Sequence, residues 1–339
     1  MSHSPNSMCP HAMQVSRIEQ ETPDVFSIHL TTADNFPYQP GQYAMVSIDN
    51  APNLTRAYTL SSSPEISPYV TLTVRRIDDG LGSNWLTRNV NCGDTLWLSD
   101  AMGEFCCQQD AGKPFLMLAA GCGVTPIMSM TRWLLEKDAA SDITVIYHVK
   151  TRDDIIFANQ WQSFVTANHP NFKLVIATTQ EQLDHYEFGR LNQAMIEKHV
   201  NNIAERIVMT CGPVDYMNQV ETICAALAID KEHFHKEQFF SENHDCLLDN
   251  DEQGEAKITI KSIGAQITAP IGATLLDVLE DNDAPVFSAC RSGMCGACKT
   301  KIASGKYETS STVTLSQEDV DAGYVLACSC QIKGDLVVE

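Results

Sequence analysis

The chain has 339 residues, of which 44% are hydrophobic and 19% charged, and its formal net charge is −20. This excess of acid disfavours nucleic acid and anionic membranes as partners, because binding phosphate requires clustered lysine and arginine. No stretch approaches the roughly 18 apolar residues that span a bilayer, and the first residues do not resemble a signal peptide. The odd number of cysteines, 13, argues against a disulfide framework, so we expect a cytoplasmic protein of two or three domains.

Residues 10–110 predict a domain of short antiparallel strands. Alternating runs such as VFSIHLTT, YAMVSI, YVTLTVRR and DTLWLSD are separated by the turn-forming segments QPGQ, SSSPEISP and DDGLGS. This pattern is typical of an antiparallel β-barrel or sandwich.

Two motifs in this segment indicate a flavin site. RAYTLSSS supplies an arginine that can neutralise a diphosphate, a tyrosine that can stack on a ring, and hydroxyls that can bind ring heteroatoms. GLGSNWL places small residues at the start of a helical run, where backbone N–H groups favour phosphate. Each motif alone also fits an ordinary strand or turn, but in this order they resemble the ferredoxin-NADP-reductase superfamily. That resemblance implies FAD binding by Tyr43, Arg56, Tyr58, Thr59, Ser61, Gly82 and Ser83.

Residues 111–240 predict a doubly wound α/β domain. FLMLAAG, ITVIYHV, FKLVIATT and RIVMTCG are apolar runs suited to a parallel sheet that is buried on both faces. Helical patterns such as TPIMSMTRWLLEKD and PVDYMNQVETICAALA alternate with them.

The first strand of this domain ends in a glycine-rich turn, AAGCGVTPIM. Its glycines would let a pyrophosphate approach the backbone, Thr125 is suited to cap the following helix, and Pro126 is suited to its first turn. The pattern is not the G-x-G-x-x-G fingerprint and resembles the G-x-G-x-x-P form of the same superfamily. The resemblance implies nucleotide binding by Gly121, Gly123, Thr125 and Pro126.

Two later segments, CGPVDYM and HKEQFF, resemble superfamily elements beside the nicotinamide and the flavin ring. A cysteine in a buried strand is usually only a small hydrophobic residue, and an aromatic pair ending a strand is usually core. The resemblance nevertheless implies catalytic roles for Cys211 and Glu237. It also implies cofactor contacts by Gly212, Pro213, Met217 and Phe239.

The residues alone leave the choice between NADH and NADPH open. The strand ITVIYHV runs into Lys150 and Arg152, which could accept the 2′-phosphate of NADPH. The same two side chains could equally be solvated, with Asp153 or Asp154 capping the next helix.

Residues 241–254 predict an acidic linker, because the segment SENHDCLLDNDEQGE contains no lysine or arginine. Residues 255–339 then predict a third domain. Its first part, KITIKSIGAQITAP, has the alternation of a hairpin that turns around Ile263 and Gly264.

The third domain contains a C-x4-C-x2-C motif followed by one distant cysteine. This is the spacing of plant-type two-iron ferredoxins, whereas zinc usually takes two C-x2-C pairs or a cysteine–histidine mixture. Interspersed glycines suit a sharply turning loop that directs N–H groups at sulfur. The segment resembles the plant-type ferredoxin domain, a β-grasp fold, and this resemblance selects Cys328 rather than Cys330. The implied ligands are Cys290, Cys295, Cys298 and Cys328.

The full chain resembles one family in particular. TLTVRRIDDG, LWLSDAMGEF, AAGCGVTPIMSM and GYVLACSC are similar to segments of the NADH oxidoreductases that reduce hybrid cluster protein. The resemblance implies FAD and a 2Fe–2S cluster as cofactors, NADH as electron donor and hybrid cluster protein as acceptor. It also implies the fold class: an antiparallel β-barrel flavin domain, a doubly wound α/β nicotinamide domain and a β-grasp 2Fe–2S ferredoxin domain.

Two alternative functions are compatible with the same cofactor-binding domains. The reductase component of an oxygenase has the same machinery and differs in its acceptor. A redox sensor, whose cluster state regulates a partner, would not need both nicotinamide motifs, so their presence disfavours that function.

Overall fold

The computed structural model describes residues 8–33, 35–51, 54–138, 140–239, 254–291, 293, 295–312 and 314–339. These residues divide into two compact units, one made of the residues up to 50 with 57–239, the other of 51–56 with those from 254 onward. The predicted acidic linker, apart from its last residue, lies outside the described residues. Among the described helices, none has the length and apolar character needed to cross a membrane.

Six strands form the first sheet. They are β1 (His11–Thr22), β2 (Val25–Thr31), β3 (Tyr43–Ser47), β4 (Thr55–Thr59), β5 (Val70–Arg75) and β6 (Thr95–Leu98). Their order is β4-β3-β6-β1-β2-β5, with antiparallel pairing. The outermost strands meet where Leu60, directly after β4, bridges to Leu72 of β5, so the sheet closes into the predicted barrel. Helix α1 (Leu81–Arg88) follows β5.

The second sheet is parallel throughout. Its strands are β7 (Phe115–Ala120), β8 (Ile143–Val149), β9 (Phe172–Thr178), β10 (Glu187–Phe188), β11 (Ile207–Gly212) and β12 (Phe234–Gln238). Its helices are α2 (Val124–Lys137), α3 (Ala158–Ala167), α4 (Gln193–His199) and α5 (Val214–Ala226). The strand order is β10-β9-β8-β7-β11-β12, so the chain winds outward from β7 and then returns to its other side. In such sheets ligands bind at the carboxyl ends of the strands where the order reverses, here between β7 and β11.

Strand β7 shows why this domain is doubly wound. Phe115, Met117 and Ala119 pack in one core with α2 and α3, whereas Leu116 and Leu118 pack in another with α4 and α5. Successive side chains of a strand point to opposite faces, so an unbroken apolar run must be covered on both sides.

Hydrogen bonds join the barrel to the helices of the parallel sheet. The carboxylate of Glu21 on β1 accepts from the Ser27 hydroxyl at 2.6 Å and from the backbone N–H of Phe157 at 3.2 Å. Ser63 donates to the carbonyl of Ser129 on α2 at 2.7 Å, and Arg132 donates to the carbonyl of Ser61 at 3.0 Å. The two layers therefore share one compact unit.

The third sheet belongs to the second unit. It contains β13 (Glu255–Ile260), β14 (Ala265–Pro270), β15 (Lys299–Thr309), β16 (Tyr324–Leu326) and β17 (Cys330–Val338), with helices α6 (Leu275–Glu280) and α7 (Gln317–Asp321). The order is β14-β13-β17-β15-β16, with β13 parallel to β17 and the other pairs antiparallel. The predicted hairpin is confirmed as β13 and β14, and the leucines of α6 pack onto the sheet as in a β-grasp fold.

Candidate functional site: a nucleotide edge and a cysteine loop

Two glycine-containing turns meet at the switch point of the parallel sheet. The turn Gly121–Gly123 follows β7 and leads directly into α2, with Gly121 at φ 53°. A Cβ atom on Gly123 would lie 2.1 Å from the carbonyl oxygen of Cys211, so this approach requires glycine. Gly212 and Pro213 continue from Cys211 into α5, whose buried face includes Met217. Both predicted nucleotide motifs thus lie at one edge of the sheet.

Thr125 does not cap helix α2, and that prediction was wrong. Gly123 is the N-cap residue, and the Thr125 hydroxyl donates to the carbonyl of Cys122 at 3.0 Å from inside the first turn. The glycine turn already carries the chain into helical geometry, so the helix begins two residues earlier than the threonine suggests. Pro126 lies in the first turn, as predicted.

Cys211 and Glu237 are neighbours across β11 and β12, and both are buried. Burial raises the pKa of Glu237 to about 8, and burial with the nearby Glu237 carboxyl raises the pKa of the Cys211 thiol well above its ordinary value. Oε2 of Glu237 has no hydrogen-bond partner among the described residues. A neutral carboxyl can donate as well as accept, so the edge offers a buried polar group to a ligand. Phe239, just beyond β12, is partly buried against the same core.

The barrel motif lies on β4. Arg56 and Tyr58 are partly buried and alternate along the strand, and Arg56 donates to the carbonyl of Thr55 at 2.8 Å. Thr59 is buried, and its hydroxyl has no partner among the described residues. Ser61 differs from it, because its hydroxyl bonds Oγ1 of Thr73 at 2.8 Å and the carbonyl of Thr71 at 3.1 Å.

The other predicted flavin residues are buried around the barrel. The ring of Tyr43 on β3 lies beside Gly103: a Cβ atom on Gly103, which has φ 104°, would be 3.1 Å from that ring. Gly82 and Ser83 lie in the first turn of α1, and the Ser83 hydroxyl accepts from the N–H of Ile77 at 3.1 Å. That bond stabilises the turn and uses the Ser83 hydroxyl. The turn can therefore offer phosphate the free backbone N–H groups at the start of the helix.

These residues fit the flavin that the sequence predicts. The partnerless buried oxygens of Thr59 and Glu237 require hydrogen bonds that described protein groups do not supply. A flavin ring carries the nitrogen and carbonyl groups that can supply them.

A cavity of about 640 Å³ opens beside the turn Gly121–Gly123, within the usual range for small-molecule sites. Three of its lining residues are cationic, Arg75, Lys150 and Arg190, and three are acidic, Asp24, Asp154 and Asp215. The Arg75 guanidinium lies 3.3 Å from the Cβ position of Gly121, and its Nε is 3.3 Å from the carboxylate of Asp24. Arg75 and Arg190 were not predicted from the sequence, although Arg75 lies at the polar end of the apolar run YVTLTVRR.

The two basic residues after β8 have different surroundings. Lys150 lines the cavity, whereas Arg152 is exposed and its backbone N–H donates to Glu181 at 3.0 Å. Asp154 is the third residue of a short 3₁₀ helix, Arg152–Asp154, and its carboxylate completes a capping box by accepting from the backbone N–H of Thr151 at 2.9 Å. The N-cap residue of that helix is Thr151, so it is neither of the two predicted acids.

In the second unit, four thiols approach one another through the loop after α6. Sγ of Cys298 lies 3.2 Å from Sγ of Cys328, Cys290 contacts Cys328, and Cys295 contacts Cys290. No three His, Cys, Asp or Glu side chains of the described chain meet as around a single ion; these thiols instead form a chain of pairwise contacts. The Cys328 thiol and backbone N–H hold the pKa of Cys298 below its ordinary value.

The backbone around these thiols fits a cluster. The N–H of Gly293 points at Sγ of Cys328, 3.1 Å away. Gly293 and Gly296 have φ 69° and 75°, and a Cβ on Gly293 would lie 2.7 Å from Cβ of Ser311. Left-handed turns without side chains let N–H groups surround sulfur, as iron–sulfur sites require.

Helix α6 holds the start of this loop. Glu280 accepts from the Ser288 hydroxyl at 2.5 Å and forms an ion pair with Arg291, which also pairs with Asp277 at 3.1 Å. The residues on both sides of Cys290 are thereby tied to one carboxylate.

Three family models match the chain. They are described as an oxidoreductase FAD-binding domain, at residues 12–106, an oxidoreductase NAD-binding domain, at 117–222, and a 2Fe–2S iron–sulfur cluster binding domain, at 258–333. The chain is also 48% identical, over 98% of its length and 99% of the relative's, to NADH oxidoreductase HCR of Escherichia coli (strain K12). The chain belongs to the NADH oxidoreductase HCR family. It is an NADH oxidoreductase with FAD and a 2Fe–2S cluster as cofactors, within the ferredoxin-NADP-reductase superfamily.

More distant relatives have the same arrangement. A glycine betaine monooxygenase reductase subunit of Chromohalobacter salexigens is 29% identical over 97% of this chain and 95% of that protein. The solved structure of phthalate dioxygenase reductase matches 97% of each chain with a TM-score of 0.69 at 22% identity. The predicted fold class is confirmed; the exact domain bounds stay a prediction.

We expect Cys328→Ser to abolish cluster assembly and Cys330→Ala to preserve it. Cys328 contacts Cys298 and Cys290, whereas Cys330 is fully buried among the apolar side chains of the third sheet. Iron and sulfide content and the visible spectrum of the purified variants measure the outcome. Cluster loss in the Cys330 variant, with assembly retained in the Cys328 variant, would reverse the assignment.

We expect the free energy of unfolding to fall less steeply with rising pH in the Glu237→Gln variant than in the wild type. Burial raises the pKa of Glu237 from 4.5 to about 8, so across this range the unfolded chain releases a proton that the folded chain retains. The free energy of unfolding therefore falls as pH rises, by at most about 1.4 kcal/mol per pH unit from this group. Denaturant unfolding at several pH values compares wild type and variant. Exposed Glu232→Gln is the control, and parallel curves for wild type and Glu237→Gln would contradict the prediction.

Proposed function

We propose that this oxidoreductase works in the cytoplasm and passes electrons from NADH to hybrid cluster protein. The supporting observation is the full-length identity of 48% to NADH oxidoreductase HCR, together with the motif resemblance described above. When bound, FAD accepts two electrons from NADH as a hydride, and a 2Fe–2S cluster carries electrons singly.

The carboxyl edge of the parallel sheet would hold the dinucleotide. Backbone N–H groups at the start of α2, reached through Gly121, Gly123, Thr125 and Pro126, favour the pyrophosphate. Individual cations of the cavity, Arg75, Lys150 and Arg190, would pair with phosphate oxygens, although three acidic residues line the same cavity. On the other side of the switch point, Gly212, Pro213 and Met217 would border the nicotinamide.

Cys211 and Glu237 would touch the reacting rings. Hydride transfer needs the two rings held face to face and requires no general acid or base, so the contribution of these residues is contact and orientation. Their burial excludes water from this edge. Glu237, neutral near pH 7 because burial raises its pKa to about 8, can donate a hydrogen bond to a carbonyl group.

The flavin would be held mainly by the barrel. Arg56 would neutralise the diphosphate, Tyr58 would stack on the ring system, and the partnerless hydroxyl of Thr59 would bind a ring heteroatom. The first turn of α1 would donate backbone N–H groups to phosphate. Supporting contacts are proposed for Tyr43, Ser61, Gly82, Ser83 and Phe239.

The four cysteine thiolates Cys290, Cys295, Cys298 and Cys328 would bind the cluster. The N–H of Gly293 would stay directed at the sulfur of Cys328 and stabilise its charge.

A second acceptor class has a specific observation in its favour. The glycine betaine monooxygenase reductase subunit of Chromohalobacter salexigens is similar over 97% of this chain, so an oxygenase component is the alternative acceptor.

We expect Arg56→Ala to weaken FAD retention by about tenfold to a hundredfold, because it removes charge-assisted hydrogen bonds to phosphate. Flavin content after extensive dilution and gel filtration measures the effect. Arg88→Ala, an exposed arginine in the last turn of α1, is the matched control. Unchanged flavin content in the Arg56 variant would remove Arg56 from this role.

The acceptor is tested by anaerobic NADH oxidation with purified hybrid cluster protein as the sole acceptor. Rapid turnover that stops in the Cys295→Ser variant, while NADH still reduces the flavin, is the expected result. If flavin and cluster are reduced and no electrons reach hybrid cluster protein, the acceptor assignment is wrong, and an oxygenase component is assayed in its place.

A further inference from the structure

His148 is a buried polar residue that none of the motifs explains. It is the penultimate residue of β8, is only 4% exposed, and lines the cavity beside the turn Gly121–Gly123. Its neighbours across the sheet are Ala120 on β7 and Ala177 on β9. Small side chains on both sides leave space around the imidazole at the carboxyl edge, where dinucleotides bind.

One nitrogen of the ring has a partner and the other does not. Nδ1 lies 3.3 Å from the hydroxyl of Tyr216 on α5, and the two ring centroids are 5.4 Å apart. Nε2 is buried and has no hydrogen-bond partner among the described residues. Buried polar atoms in native proteins are nearly always satisfied, so an orphan nitrogen on a residue that lines a cavity indicates a partner that binds there.

Tyr216 fixes which nitrogen carries the proton. Burial lowers the pKa of His148 to about 4 and raises the pKa of Tyr216, so at neutral pH the imidazole is uncharged and the phenol keeps its proton. A phenol hydroxyl is a better donor than acceptor, so we assign the donating role in this bond to Tyr216 and the accepting role to Nδ1. In a neutral imidazole the remaining nitrogen, Nε2, is then the donor, on a residue that lines the cavity.

We propose that His148 is a positioning residue that donates a hydrogen bond from Nε2 to an oxygen of the bound nicotinamide dinucleotide. The inference depends on the proposed placement of NADH at this edge and is independent of the electron acceptor. Phosphate and ribose oxygens are the acceptors that the ligand offers. Because the donor is neutral, it orients the dinucleotide without changing the balance of three cationic and three acidic residues that line the cavity.

The test is calorimetric titration of the flavin-loaded protein with NAD⁺, with ADP-ribose and nicotinamide mononucleotide as half-ligands. His148→Leu keeps the bulk and removes the donor, and we expect its Kd for NAD⁺ to rise about tenfold. His148→Gln retains an N–H donor near the same position, so its Kd should stay within about threefold of wild type. Loss of affinity for ADP-ribose places the acceptor on the diphosphate or adenosine side. Loss for nicotinamide mononucleotide places it on the other half.

Flavin reduction by NADH in anaerobic stopped flow provides the second measurement. A positioning role raises the NADH concentration for half-maximal rate in His148→Leu, and long-range ¹H–¹⁵N spectra of the wild type should show the Nε2–H tautomer. Unchanged Kd values in His148→Leu overturn the proposal. Equal losses in His148→Leu and His148→Gln, accompanied by equal loss of thermal stability, also overturn it, because they indicate a structural role alone. Neither measurement uses hybrid cluster protein, so failure of the acceptor assay leaves this test intact.

Discussion

The approach of Gly123 to the carbonyl of Cys211 is the contact on which the nucleotide edge depends. It sets the first turn of α2 directly on the end of β11, across the gap where the strand order reverses. The same end of β11 holds Cys211 beside Glu237, so one backbone contact fixes both the glycine turn and the buried pair. A side chain at Gly123 would separate these elements, and no repacking of side chains could restore the distance between two backbones.

The cysteine loop also depends on a fixed backbone, but side-chain contacts as well as glycines hold it in place. Its glycines allow left-handed turns, but the loop is also held at its start by Glu280, which binds Ser288 and Arg291 on either side of Cys290. Closely spaced thiols repel one another once they ionise. A loop fixed by a helix and by a buried third-sheet core offsets part of this repulsion, because it restricts where the thiols can move.

The sequence predicted what depends on local spacing and missed what depends on register. The cysteine motif, the glycine turns and the apolar strands of the parallel sheet were recognised because each requires particular residue types at fixed intervals. Strand β1 was not predicted from the sequence, since HAMQVSRIEQET is mostly polar and only Met13, Val15 and Thr22 of this strand are buried. The role proposed for His148 could not be predicted from the sequence, because it depends on the alanines that the neighbouring strands place beside this residue. Thr125 was misread because the glycine turn, not the threonine, begins the helix.

Three hydrogen bonds between the barrel and the helices affect how this protein melts: Phe157 N–H to Glu21, Ser63 to the Ser129 carbonyl, and Arg132 to the Ser61 carbonyl. Layers that complete each other's buried polar groups lose those partners together, so the barrel and the parallel sheet should behave as a single cooperative block. The boundary near residue 110 therefore divides two sequence patterns, but the segments on its two sides are not independently stable domains. A protein cut there would leave serine carbonyls and a carboxylate facing water on fresh surfaces, and neither half would keep these hydrogen bonds.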